Sequence, residues 1–205
     1  VSPLLDKLIL GFCNSTDVCR LMAYYTEQGV PICGSAQGFY GAGIPPSLQT
    51  ATVIVSLLLQ VEQGVKHIYV ACTGHGNLVQ DVATANVRCN LLCEYLDKLG
   101  YSDVEIFSGL SFNLMQYPVE TGANFAVVFM NTLMAKLIGA QISDIRTVAE
   151  AKAIPTKEDI ASTFRTAKVM QNYLENQKIE VDKKEVQLES QMQEKEARAI
   201  LDKVF

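Results

Sequence analysis

Apolar and polar positions alternate between two periods along this chain, and each change of period is marked by a glycine or proline. Residues 3–11 form a short apolar segment with helical spacing. Asn14-Ser-Thr-Asp17 is a helix-start cluster, and the helix it opens runs to about Gln28, where Gly29 ends it. Val30-Pro-Ile-Cys33 reads as a brief strand, followed by a glycine-rich loop over 34–43. Pro45-Pro46-Ser47 opens a long helix to Gln63, closed by Gly64. Residues 67–72 are a nearly continuous apolar run, the pattern of a strand covered on both faces. After the tight loop 73–76, Asn77 caps a helix to Leu99, with Gln80 where a capping box places its second residue. A third strand is expected over 103–107, a loop over 108–118 and a helix over 120–138. A fourth strand follows over 140–145, then helices over 157–176 and 180–205.

Strand centres fall near 32, 69, 105 and 142, so the strand–helix unit recurs about every 37 residues. That alternation predicts an α/β fold with a parallel sheet and helical crossovers. The loops after the strands hold the Gly, His, Asn, Tyr and Arg residues, and the loops before them are short. In a (β/α) barrel the chemistry lies on the loops after the strands. A doubly wound sheet also alternates this way, but no GxGxxG opens the first helix. A full barrel takes about eight units. The expectation is a parallel TIM-barrel type of about half a barrel, four βα units in a single domain over 1–205, with 180–205 a charged C-terminal helical extension.

Composition narrows the function classes. The chain has 205 residues and is 49% hydrophobic, with a mean hydropathy of +0.15, so it folds. The net charge is −5 and no basic patch is visible, which argues against nucleic acid. The longest apolar run, Val53-Ile-Val-Ser-Leu-Leu-Leu59, is far short of a membrane span. Val1-Ser-Pro-Leu-Leu-Asp-Lys7 lacks the basic segment of a signal peptide, and a cytoplasmic location is expected. The six cysteines show no paired CxxC knuckles. Cys89 and Cys93, four apart on one helix, read as small buried hydrophobes rather than metal ligands.

The candidate chemistry concentrates in Ile145-Arg-Thr-Val-Ala-Glu150-Ala-Lys-Ala-Ile-Pro155-Thr-Lys-Glu-Asp-Ile160. Arg146 and Glu150 sit four apart, so they share one face of a turn. Thr156 is an N-cap for the next helix, with Asp159 three residues on. By spacing alone the Arg146–Glu150 pair is an exposed ion pair on a connector. His75 has no second ligand at metal spacing and reads as a loop-packing residue.

Five segments carry a family resemblance: Ile44-Pro-Pro-Ser47, Glu62-Gln-Gly-Val-Lys66, Gly76-Asn-Leu-Val-Gln-Asp81, Glu94-Tyr-Leu-Asp-Lys-Leu-Gly-Tyr-Ser-Asp-Val104 and Ala151-Lys-Ala-Ile-Pro-Thr-Lys-Glu158. Together with the tail Ala199-Ile-Leu-Asp-Lys-Val-Phe205, in this order, they resemble the epsilon subunit of glutamate mutase, also called methylaspartate mutase. The resemblance implies a TIM barrel of which this chain is the second half. It implies a radical, adenosylcobalamin-dependent isomerisation of L-glutamate to 3-methylaspartate. It implies a sigma-type subunit that carries the cobalamin, and a complementary N-terminal barrel half or a homo-oligomer to close the barrel. The family's adenosyl-contacting lysine falls on Arg146 and its ribose-contacting glutamate on Glu150. An aromatic contact falls on Tyr117 and a backbone or apolar one on Ile154. The family has lysine where Arg146 stands, and His-Gln-Trp where Ser111-Phe-Asn113 stands. Its substrate-binding arginines and catalytic glutamate belong to the first half, so no catalytic residue is assigned here. The alternatives are a non-catalytic drifted barrel that serves as a scaffold or subunit-binding module, and an unrelated barrel that binds phosphate at a helix start such as Asn77 or Thr156.

Overall fold

The computed structural model describes residues 16–36, 44–113 and 117–205. The expected helix over 3–11 and most of the loop over 34–43 lie outside the described residues. In order the elements are α1 (16–27), β1 (Cys33–Ala36), α2 (Pro46–Glu62), β2 (His67–Gly74), α3 (Leu78–Lys98), β3 (Glu105–Phe112), α4 (Thr121–Leu137), β4 (Ile142–Asp144), α5 (Lys157–Leu174) and α6 (Lys183–Leu201). The four strands form one sheet in the order β1-β2-β3-β4, and every neighbouring pair is parallel.

One turn chemistry repeats before each strand. Helices α1 to α4 all end in a glycine with positive φ: Gly29, Gly64, Gly100 and Gly139. The next amide reaches back five residues, from Val30 to the Tyr25 carbonyl, Val65 to Gln60, Tyr101 to Leu96 and Ala140 to Ala135. This is the Schellman ending, which satisfies the last helical carbonyls. It also explains where two strands start. Val30 looks like strand but its N–H belongs to α1, Pro31 has none, and β1 begins only at Cys33. Ala140 is likewise taken by α4, so β4 starts at Ile142.

The third strand is longer than its sequence suggests. The Ser108-Gly-Leu-Ser-Phe112 stretch, expected as loop, pairs with β2 throughout and with β4 from Gly109 to Ser111. Gly109 is required by its neighbours. A Cβ there would lie 1.8 Å from Tyr69 Cε2 and 2.8 Å from the Ile142 carbonyl oxygen.

One face of the sheet is covered by helices. Ile68 and Val70 pack with Ile54, Leu57, Leu91 and Leu92 in the largest core cluster. Cys72, Leu110 and Phe112 pack with Met134 in a second, and Val128, Val148 and Ala167 form a third. The opposite face carries rows of register partners: Cys33, His67 and Glu105, then Ser35, Tyr69 and Phe107. Cys33, Ser35 and Glu105 on it are exposed.

Helix α5 starts with a complete capping box. Thr156 Oγ1 accepts the Asp159 N–H at 3.2 Å, and Asp159 Oδ2 accepts the Thr156 N–H at 2.9 Å. Asp serves where Glu or Gln is more usual. Helix α6 packs against α2 and α3 through Gln193, Ala197 and Leu201, one stripe at four-residue spacing. Its charges are only partly a solvated face. Arg198 forks onto Glu94 of α3 at 2.5 and 2.9 Å, and Glu196 accepts from buried Ser47 of α2 at 2.7 Å.

Candidate functional site

The polar side chains gather where the strands end. Thr73, Ser111 and Asp144 are register partners across β2, β3 and β4. Ser111 Oγ donates to Asp144 Oδ2 at 3.0 Å. Just past the strand ends lie His75, Asn113 and Arg146, each two residues on from that row. The Asn113 amide lies 3.3 Å from His75 Nδ1, and Gln49 Nε2 of α2 lies 3.4 Å from His75 Nε2.

Buried amides and a hydroxyl fix the segment after β4. Asn124 of α4 donates to the carbonyls of Pro118 and Val148, both at 2.8 Å, which ties the Tyr117 loop to this segment. Asn131 Nδ2 donates to the Asp144 carbonyl at 3.2 Å. The Val148 N–H donates to Thr163 Oγ1 of α5 at 3.1 Å. Asn124, Asn131 and Thr163 are each 0% exposed, so their bonds are made in a medium that strengthens them.

On this frame Arg146 bridges two carboxylates. Its guanidinium lies 3.5 Å from Asp144 Oδ2 and 3.5 Å from Glu150 Oε1. Tyr117 is buried beside them. Burial pushes its phenol up to about 12; the charge of Glu150 adds to that, and Arg146 opposes it. The Tyr117 hydroxyl and Arg146 Nε are buried without a hydrogen-bond partner of normal geometry. Of the four residues singled out from sequence, Tyr117, Arg146 and Glu150 are therefore together. Ile154 is apart in character: its side chain is 93% exposed, on the turn before α5.

The loop after β2 has its own anchor. Asp81, 1% exposed, accepts the His75 N–H on both oxygens and the Gly76 N–H on Oδ2. Burial raises its pKa to about 6, against the pull of those two amides. Burial lowers the His75 pKa, and the nearby charge of Arg88 adds to that. The bonds of His75 to a backbone anchor and to amide side chains agree with its reading as a loop-packing residue. Among the described residues no group of His, Cys, Asp and Glu could hold a metal ion. Cys89 is half-buried and Cys93 exposed, so neither is the core residue the sequence suggested. No described helix is long and apolar enough to cross a membrane.

Sequence reading passed over Asp144, Ser111, Asn113 and Asp81. The signal for the first three is a spacing of two at the strand ends: 111 and 113 stand at the end of β3, 144 and 146 at the end of β4. The loop-like composition of 108–118 hides it.

The methylaspartate mutase E chain family model matches residues 10–205. This chain belongs to the methylaspartate mutase E chain family. It is 34% identical over 189 residues to the glutamate mutase epsilon subunit of Desulfitobacterium hafniense, covering 92% of this chain and 39% of that one. It is 31% identical over 187 residues to the epsilon subunit of Treponema denticola, covering 91% and 38%. The epsilon subunit of Halobacterium salinarum is 30% identical over 189 residues, covering 92% and 38%. This family member thus spans about two fifths of the length of the curated relatives it matches.

Proposed function

We propose that this chain is part of an epsilon-type subunit of glutamate mutase, which converts L-glutamate to 3-methylaspartate with adenosylcobalamin. On this reading its sheet is half of a (β/α) barrel of about eight units. The greater length of the relatives leaves room for the other half, which pairs with the edges at β1 and β4 and covers the exposed face. A sigma-type subunit brings the cobalamin, and the assembly works in the cytoplasm.

The observation that carries the reading is the convergence of Arg146, Glu150 and Tyr117 at the C-terminal end of the sheet, with buried donor atoms left over. The residues fit an adenosyl ribose. The Glu150 carboxylate, 26% exposed, accepts from ribose hydroxyls, and Arg146 and the Tyr117 hydroxyl donate. Asp144 holds Arg146 from behind, so the cation keeps its place when Glu150 turns to the ligand. Ile154, standing clear of the fold, offers an apolar contact. When bound, the cofactor supplies the radical chemistry of the rearrangement. The substrate's carboxylates are held by residues of the other half.

A second reading, a non-catalytic scaffold, is favoured by one feature. Ser111 and Asn113, where the resembled family has histidine and tryptophan, are turned to Asp144 and His75. The test is to combine the complete epsilon-type polypeptide with its sigma-type partner and titrate adenosylcobalamin. Glu150→Gln lowers affinity roughly tenfold to hundredfold, the worth of one charge-assisted bond. Equal affinity would overturn the site assignment. Binding without conversion of L-glutamate would select the scaffold.

A further inference from the structure

One side chain of α4 joins the two loops that carry the candidate site. Asn124 has no exposed surface, and its amide nitrogen carries two hydrogens. One donates to the Pro118 carbonyl and the other to the Val148 carbonyl, both at 2.8 Å. Pro118 follows Tyr117 directly, and Val148 stands midway between Arg146 and Glu150. Pro118 has no N–H, so its carbonyl is its one backbone hydrogen-bonding group, and Asn124 takes it.

Val148 is held on both sides of its own Cα. Its carbonyl goes to Asn124 of α4, and its N–H goes to Thr163 Oγ1 of α5 at 3.1 Å. Its side chain packs with Val128 and Ala167. The turn 146–150 is thus fixed at its centre by two helices, while Arg146 and Glu150 at its ends stay partly exposed. An apolar side chain at 124 would leave both carbonyls without this donor, and a hydroxyl would serve only one of them.

We infer that Asn124 is a positioning residue for the adenosyl site: it sets the gap between Tyr117 and the Arg146–Glu150 turn. The inference rests on the proposed assignment of that site. Asn124 is itself enclosed, so it acts through the two loops and not by contact with the ligand. Tyr117 and Glu150 approach one ligand from different stretches of chain. Such a pair binds well when its spacing is set before the ligand arrives, because little ordering is left to the binding step.

The experiment is a titration of adenosylcobalamin into the complete epsilon-type polypeptide with its sigma-type partner. Asn124→Ala is expected to weaken binding roughly tenfold to hundredfold, the effect of a small misplacement of contacting groups. The losses from Asn124→Ala and Tyr117→Phe should not multiply in the double variant, because a tyrosine already out of place has little left to lose. Leu201→Ala, in a different core cluster, is the control for lost stability and should bind as wild type does. Asn124→Asp keeps the shape and, in the protonated form that burial favours, has one donor for two carbonyls. It serves if Asn124→Ala does not fold, with an expected loss of roughly twofold to tenfold. Glu150→Gln separates two failures. If it weakens binding and the Asn124 variants do not, the site stands and this inference falls. If it has no effect, both fall. Equal weakening by Leu201→Ala, or losses that multiply in full, would show a purely structural amide and overturn the inference.

Discussion

The Asp81 carboxylate accepts the His75 backbone N–H on both of its oxygens, at 3.0 and 2.9 Å, from the first turn of α3. Its pKa is raised from 3.8 to about 6, chiefly by burial. The native state therefore holds this proton more tightly than the unfolded chain does. Its stabilising contribution is complete below pH about 4 and is lost as pH rises through 6. A shift of that size is worth roughly 3 kcal/mol. Asp81→Asn should remove this part of the pH dependence, as measured by urea denaturation between pH 4 and 8. The His75 and Gly76 amide signals should titrate with a midpoint near 6 in the wild type and stay flat in the variant.

Tyr117→Phe should separate stability from binding. The hydroxyl it removes is buried and held only by a long contact from the Arg146 backbone N–H, so the variant should unfold within about 1 kcal/mol of wild type. If the hydroxyl meets the adenosyl ribose, the same variant binds adenosylcobalamin more weakly in the assembled complex. A binding loss without a matching stability loss is expected where a site keeps polar atoms for a ligand. A stability loss of several kcal/mol would show that the hydroxyl is structural.

Gly109→Ala should destabilise the sheet by roughly 1–3 kcal/mol, because the new methyl meets the Tyr69 ring and the Ile142 carbonyl. Combining it with Tyr69→Ala should recover part of that loss, since the ring is then gone. Thermal unfolding of the two single variants and the double variant gives the coupling. Strict additivity would mean that the ring moves aside at no cost.

Leu201→Ala should cost about 2–5 kcal/mol, the usual range for a core leucine, since Leu201 is 0% exposed between α2, α3 and α6. Leu188→Ala, on the same helix but 60% exposed, should stay within about 0.5 kcal/mol of wild type. Equal losses would mean that α6 is held by its ion pairs rather than its apolar stripe.

Much of the fold was legible because its punctuation is local. Gly29, Gly64, Gly100 and Gly139 end their helices as read, and each long helix lies within a few residues of its expected limits. What was hidden depended on partners far away in sequence. Ser108 to Phe112 look like loop by composition, and only pairing with β2 and β4 makes them strand. The Arg146–Glu150 contact was visible as a spacing of four. Its bridge to Asp144 was not, because that link needs the strand to end where tertiary contacts end it. The role of Asp81 is not legible in sequence, since nothing local says that a carboxylate in a first helical turn will be buried.

Helix α6 seals the seam between α2 and α3, and its inner contacts span long stretches of chain. Thr84 of α3 meets Gln193 across 109 residues. At ribosomal speed that separation is on the order of ten seconds of synthesis. Through most of that interval α2 and α3 are already made while the apolar seam they share has no lid. The nascent chain thus carries an uncovered apolar seam during its own translation, and slowing the ribosome between α3 and α6 would lengthen the exposure.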